Sequence, residues 1–299
     1  MVASDEGAPR SDAWLHAGGT LALTPPVVMA VLNVTPDSFH DGGALYRAGS
    51  IDVPAVREAA ARAVDAGAGL LDVGGESTRP GADPVDPGAE QARVVAAIEA
   101  IRDLGVPVSC DTRRASVARA ALEAGAVIIN DVSGLADPQM ASVAAAHGAG
   151  IAIGHLRGVP KTMQSGIAFS DLLAEIGREL RAGVDAALAA GVRLEQVVVD
   201  PGIGFGKSAQ QSAALVGASS RMRAATGCPV MIGASRKSFI GALSEGGPQT
   251  RLPGSLAAAV VAVQRGASIV RVHDVAETVQ ALAVAAAVDA AVTEEGAAS

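Results

Sequence analysis

Aromatic side chains are almost absent from this 299-residue chain: they make up 2% of it, as one Trp, one Tyr and four Phe. Its core must therefore be built from Ala, Val, Leu and Ile, through many small contacts rather than a few large rings. Cysteine is scarcer still, with two residues. Cys110 and Cys228 belong to no C-x-x-C pair; one disulfide between them stays open, but a reducing compartment is the simpler expectation. No block of Lys and Arg stands out against a net charge of −8, which argues against the positive stripe that a nucleic-acid surface requires. No apolar run approaches the ~18 residues of a membrane span. The opening residues, MVASDEGAPRSDAW, carry acids and a proline where a secretion signal needs a basic and then an apolar stretch. The expectation is a cytoplasmic protein that engages neither nucleic acid nor membrane. Anionic small substrates stay open, because a local Arg or Lys suffices to hold a phosphate.

What the chain does have is hydrophobic mass, 49% against 18% charged residues, enough for a large core and too much for a disordered chain. This mass is distributed rhythmically. VVMAVLN (27–33), GLLDVG (69–74), VPVSCD (106–111), AVIIND (126–131), GIAIGH (150–155), QVVVDP (196–201), CPVMIGA (228–234) and ASIVRVH (267–273) are short apolar runs. Their length and β-branched content predict strands covered on both faces. Between them, 53–66, 87–103, 115–124, 138–147, 170–190, 209–225, 254–265 and 275–292 have helical spacing, and two end at Ala66-Gly67 and Ala190-Gly191. Eight strands alternating with eight helices predict one closed parallel (β/α)8 barrel with a short N-terminal extension. Residues 14–292 form this domain, 1–13 a loose tail and 293–299 a C-terminal tail. A weakly alternating stretch, Trp14 to Leu23, predicts a hairpin ahead of the barrel.

Reactive groups of such barrels gather at the C-terminal strand ends, and these ends are polar here. Asn33, Asp111, Asn130, Asp131, His155, Asp200, then Ser235, Arg236 and Lys237, and finally Arg271 and His273 follow seven of the eight runs. An Asp after a strand is often a helix cap; so many polar groups around one mouth predict a pocket instead. The first two loops, NVTPDSFHDGG (33–43) and GGESTRPGA (74–82), are longer than tight connections and carry Asp37, Phe39 and Arg79, which a passive turn does not need.

Together NVTPDSFHDGG, GGESTRPGA, DTRRASVARAAL, NDVSG, DPGIGFGK, GASRKSF and RVHDV resemble the motif set of the dihydropteroate synthases, from about Leu21 to Val292. The resemblance implies an enzyme of folate biosynthesis that joins a dihydropterin pyrophosphate to p-aminobenzoate. It implies a pterin pocket of Asp111, Asn130, Asp200, Phe205, Gly233 and Lys237. It implies an arylamine subsite of Phe39, Thr78, Arg79, Pro80, Lys237 and Ser238. Arg271, His273 and Asn33 would meet the pyrophosphate, with Asn33 also reaching a bound Mg2+. Asp111, Asp200, Lys237, Arg271 and His273 are the residues that would carry the chemistry. His155 is open to a structural role, and His16, His40 and His147 show no case for function. The chain departs from the family's pattern at Gly154, where a methionine beside the pterin is usual, at His40 and at Cys110. Two other readings, a pterin-dependent corrinoid methyltransferase and a non-catalytic pterin-binding paralogue, would be expected to lack STRPG and SRKSF, or a loop or Lys237. Helical stretches 255–266 and 275–292 are apolar around much of their circumference, which predicts a homodimer.

Overall fold

The computed structural model describes residues 13–35, 45–47, 50–79, 81–244 and 246–297. The predicted hairpin forms first, from β1 (Ala13–His16) and β2 (Gly19–Ala22). The first apolar run is β3 (Val27–Asn33), and β4 (Tyr46–Arg47) pairs with β5 (Ser50–Ile51) in the connection after it. The chain then alternates: α1 (Val53–Asp65), β6 (Leu70–Gly74), α2 (Pro87–Ile101), β7 (Val108–Asp111), α3 (Ala115–Ala124), β8 (Ile128–Asp131), α4 (Met140–His147), β9 (Gly150–Gly154) and α5 (Leu172–Ala189). It continues through β10 (Val197–Asp200), α6 (Ala209–Val216), α7 (Ser219–Thr226), β11 (Met231–Ile232), α8 (Ser238–Ser244), α9 (Leu252–Gln264), β12 (Ile269–Val272) and α10 (Val275–Ala297).

Local chemistry sets these boundaries. Asp52, Asp86 and Asp171 accept backbone N–H groups of Ala55, Ala89 and Ala174 and so start α1, α2 and α5, while Ser208 and Gln211 cap each other's ends on α6. The predicted 209–225 helix breaks in two at Gly217-Ala218, because glycine there ends α6 and Ser219 starts a new turn. The run 228–234 narrows to Met231–Ile232, since Pro229 has no N–H to give to a ladder. Helix α8 was not anticipated; it is a single short element after SRK.

The eight long-range strands pair in parallel in the order β10-β9-β8-β7-β6-β3-β12-β11. A parallel bridge between Val199 and Val230, supported by Val199 N–H donating to Pro229 O at 3.0 Å, joins the two outer strands and closes the barrel. The (β/α)8 prediction holds.

Strand alternation places the site. Met29, Leu70, Ile128, Ala152, Val198, Met231 and Ile269 face inward and pack with Trp14 and Leu23 of the hairpin region, so the barrel's N-terminal end is filled by apolar side chains. Trp14 is fully buried, its indole N–H bonded to Gln196 O at 2.8 Å. Two residues further along the same strands, and so again inward, stand Asp72, Asn130, Gly154, Asp200, Gly233 and Arg271. An apolar floor thus gives way to a polar layer towards the C-terminal mouth. A second core lies between the strands and the surrounding helices, with Val56, Val94, Ile98, Val117, Ile176 and Leu180 among its buried members.

Candidate active site

Four side chains from four strands meet in the polar layer. Arg271 of β12 donates from Nε to Asp72 Oδ2 at 2.6 Å and from Nη2 to Asp111 Oδ2 at 2.7 Å, and Asn130 Nδ2 donates to Asp72 Oδ2 at 2.9 Å. Asp72 and Asp111 each retain a buried second oxygen, Oδ1, with no hydrogen-bond partner. Burial pushes the Asp111 carboxyl above the usual carboxylate range, Asp72 and Glu90 add to the rise, and Arg271 opposes it. The same two carboxylates hold the Arg271 guanidinium further above its ordinary value against the cost of burial.

Asp200 ends β10, and its Oδ1 accepts Gly202 N–H at 2.7 Å. Gly202 has φ +71°, and a Cβ there would lie 2.0 Å from His155 O, so only glycine makes this turn. The turn carries Phe205, over whose ring Lys237 Nζ sits at 4.3 Å while donating to Ile203 O. Burial, with Arg271 nearby, brings the Lys237 ammonium down to about 8, and Asp200 and Asp111 resist the change. A Cβ on Gly233 would stand 3.8 Å from both Asp200 Oδ2 and Arg271 Cβ, which places Gly233 between the two strand-end groups. Asp111, Asn130, Asp200, Phe205, Gly233, Lys237 and Arg271 are therefore brought together.

Of the remaining predicted residues, Asn33 ends β3 and His273 follows the adjacent β12. Asn33 Oδ1 and Asp111 Oδ2 both lie 3.6 Å from where a Cβ on Gly74 would be, so Asn33 neighbours the carboxylate pair. His273 is fixed by Ser235, whose hydroxyl accepts the His273 backbone N–H at 3.2 Å and lies 3.0 Å from Nδ1. Thr78 and Arg79 are half-buried after β6, and Ser238 is exposed at the start of α8. Phe39 and Pro80 lie outside the described residues. Asp131 caps a turn, accepting Ser133 and Leu135 N–H groups at 2.8 Å. His155 is buried, with Nε2 at 2.9 Å from Glu179 and Nδ1 at 2.8 Å from Lys207 Nζ, and is lowered to about 4 by burial and by Lys207. Burial likewise brings Lys207 down to about 7.

Two groups escaped sequence reasoning. Asp72 is fully buried and central; its signal was a charge inside an otherwise apolar run, LLDVG. The second is an ion cluster beneath the loop after β6. Glu76 Oε1 accepts Arg114 Nη2 and Val85 N–H, both at 2.9 Å; Glu76 Oε2 accepts Arg113 Nε at 2.9 Å; and Arg114 also binds Glu90. The successive arginines of DTRR were its only trace.

The barrel and its polar layer match the description "Pterin binding enzyme", whose family model covers residues 29–273. The chain belongs to that family. Within it, the relatives are dihydropteroate synthases. It is 44% identical to the dihydropteroate synthase of Synechocystis over 86% of this chain and 88% of the relative. A probable bifunctional folylpolyglutamate synthase/dihydropteroate synthase of Haloferax volcanii is 46% identical over 87% of this chain, which spans 30% of that longer protein. The solved Yersinia pestis dihydropteroate synthase, in a sulfonamide drug complex, superimposes with a TM-score of 0.87 at 39% identity, covering 93% of this chain and 99% of that one.

Proposed function

We propose that this protein is a dihydropteroate synthase, joining 6-hydroxymethyl-7,8-dihydropterin pyrophosphate to p-aminobenzoate and releasing pyrophosphate and 7,8-dihydropteroate. One observation carries the reading: Asp72 and Asp111 share Arg271, yet each keeps a buried oxygen unpartnered. A buried acceptor left unbonded costs about 1–3 kcal/mol, and the donor edge of a flat pterin offers the missing N–H groups. Asn130 and Lys237 serve the ring's acceptors, Asp200 takes a further donor, and Phe205 and Gly233 bound its faces. Thr78, Arg79, Pro80, Phe39, Ser238 and Lys237 hold p-aminobenzoate.

The arylamine nitrogen attacks the exocyclic methylene carbon while the carbon–oxygen bond to pyrophosphate breaks, its electron pair leaving on oxygen. The new ammonium then gives its proton to solvent. Asp111 and Asp200 stabilise positive charge gathering on the pterin, and Arg271 and His273 stabilise the departing anion. The arylamine is nucleophilic as it stands and needs no strong base. Asn33, next to Asp111, offers an oxygen donor that suits Mg2+, an ion that keeps waters and prefers phosphate oxygens. Mg2+ held there would supply Lewis-acid stabilisation to the pyrophosphate. Val261 on α9 and Val284 and Val288 on α10 are exposed hydrophobics, which supports a homodimer through these helices. No helix among the described residues is long and apolar enough to cross a membrane; we place the enzyme in the cytoplasm.

Purified protein given the dihydropterin pyrophosphate, labelled p-aminobenzoate and Mg2+ is expected to form dihydropteroate, with a sulfonamide competing against p-aminobenzoate. Lys237→Ala should lose at least about tenfold in kcat/KM, the worth of a charged hydrogen bond. No product above that variant's level would end the proposal.

A further inference from the structure

The loop after β6 is drawn shut at its base. Glu76 precedes residues 77–84 and Val85 follows them. Glu76 Oε1 accepts Val85 N–H at 2.9 Å and Arg114 Nη2 at 2.9 Å, and the same Nη2 donates to Val85 O at 3.0 Å. One carboxylate and one guanidinium thus lock both ends of the loop together. Arg113 binds the second oxygen of Glu76 at 2.9 Å, and Arg114 is held from behind by Glu90, whose other oxygen accepts Thr112 Oγ at 2.6 Å. Burial works against the Glu76 charge, yet Arg113 and Arg114 bring it below the usual carboxylate range. A cleft of ≈ 160 Å³ opens under the loop between Ser77, Ala82, Asp83, Arg113 and Pro160. The far side of the loop touches the body through Gly81 N–H donating to Pro160 O at 3.3 Å and through an exposed Lys161–Asp83 pair. An exposed pair adds little, whereas removing one partner of a buried pair is costly.

We infer that Glu76 and Arg113 are positioning residues for the arylamine: with Arg114 they hold Thr78 and Arg79 at the mouth, and they tie that loop to Asp111. The tie is covalent and short, because Asp111, Thr112, Arg113 and Arg114 are consecutive. The inference rests on the proposed reaction, since it names the substrate the loop holds.

Steady-state kinetics of Arg113→Met and Glu76→Gln test it, beside calorimetric binding of the dihydropterin pyrophosphate. We expect KM for p-aminobenzoate to rise about tenfold or more, with kcat and pterin affinity within about twofold, and Arg113→Lys to recover part of the loss. A merely structural role would lower the melting temperature and the active fraction, hence kcat, and leave KM in place; that result overturns the inference. Arg113 is partly exposed, so its variant carries the test if Glu76→Gln fails to fold. An inactive wild-type protein would instead sink the proposed function, so the two failures are distinct.

Discussion

Under the proposed reaction, Lys237 is a residue whose protonation state the chemistry would feel. Its ammonium lies over Phe205 within the influence of Asp200 and Asp111, and burial brings it down to about 8. It is charged below that pH and neutral above it. kcat/KM for the pterin substrate should therefore fall as pH rises through about 8, and a pH–rate profile of Lys237→Met should lack this alkaline limb. A descending limb that survives in the variant would assign the titration to another group. Asp111, Asn130, Asp200 and Arg271 stood out in the sequence because each ends or nearly ends an apolar run, where a polar or charged group has no place in a core. Asp72 was not singled out, and its pairing with Arg271, 199 positions away, is invisible along the chain. Nor did the sequence separate His155, a buried bridge between Glu179 and Lys207, from a catalytic histidine.

Among the elements, the strands were the best read, since a run apolar on both sides has few other uses. β3 matches its predicted span from Val27 to Asn33. Errors fall where one residue decides: Pro229 trims β11, and Gly217 divides α6 from α7. Gly154, where the chain departs from the family's usual methionine, has a local explanation. A Cβ there would lie 2.7 Å from Val132 Cα and 3.0 Å from Asp131 O. The end of β8 approaches β9 too closely for any side chain at this point. Gly154→Ala should destabilise the fold by about 1–3 kcal/mol, as overpacking does, measured by urea unfolding. An unchanged midpoint would mean that the β8–α4 turn yields freely.

At the scale of the whole molecule, α9 and α10 pack together and leave Val261, Val284 and Val288 exposed at 43%, 59% and 58%. Light scattering on the eluting protein should give a dimer mass, and Val284→Asp should give a monomer; a variant that stays dimeric would move the interface elsewhere. The barrel was predictable as a count of eight alternating units, but the manner of its closing was not. The seam between β10 and β11 is stitched by a single bridge, Val199 to Val230, where other neighbours share ladders of up to five paired positions. Asp200 borders that seam on one side, and Gly233 and Lys237 follow it on the other. A pterin touching all three would act as a hasp across the weakest join of the ring, so that taking up substrate and holding the cylinder round become the same event.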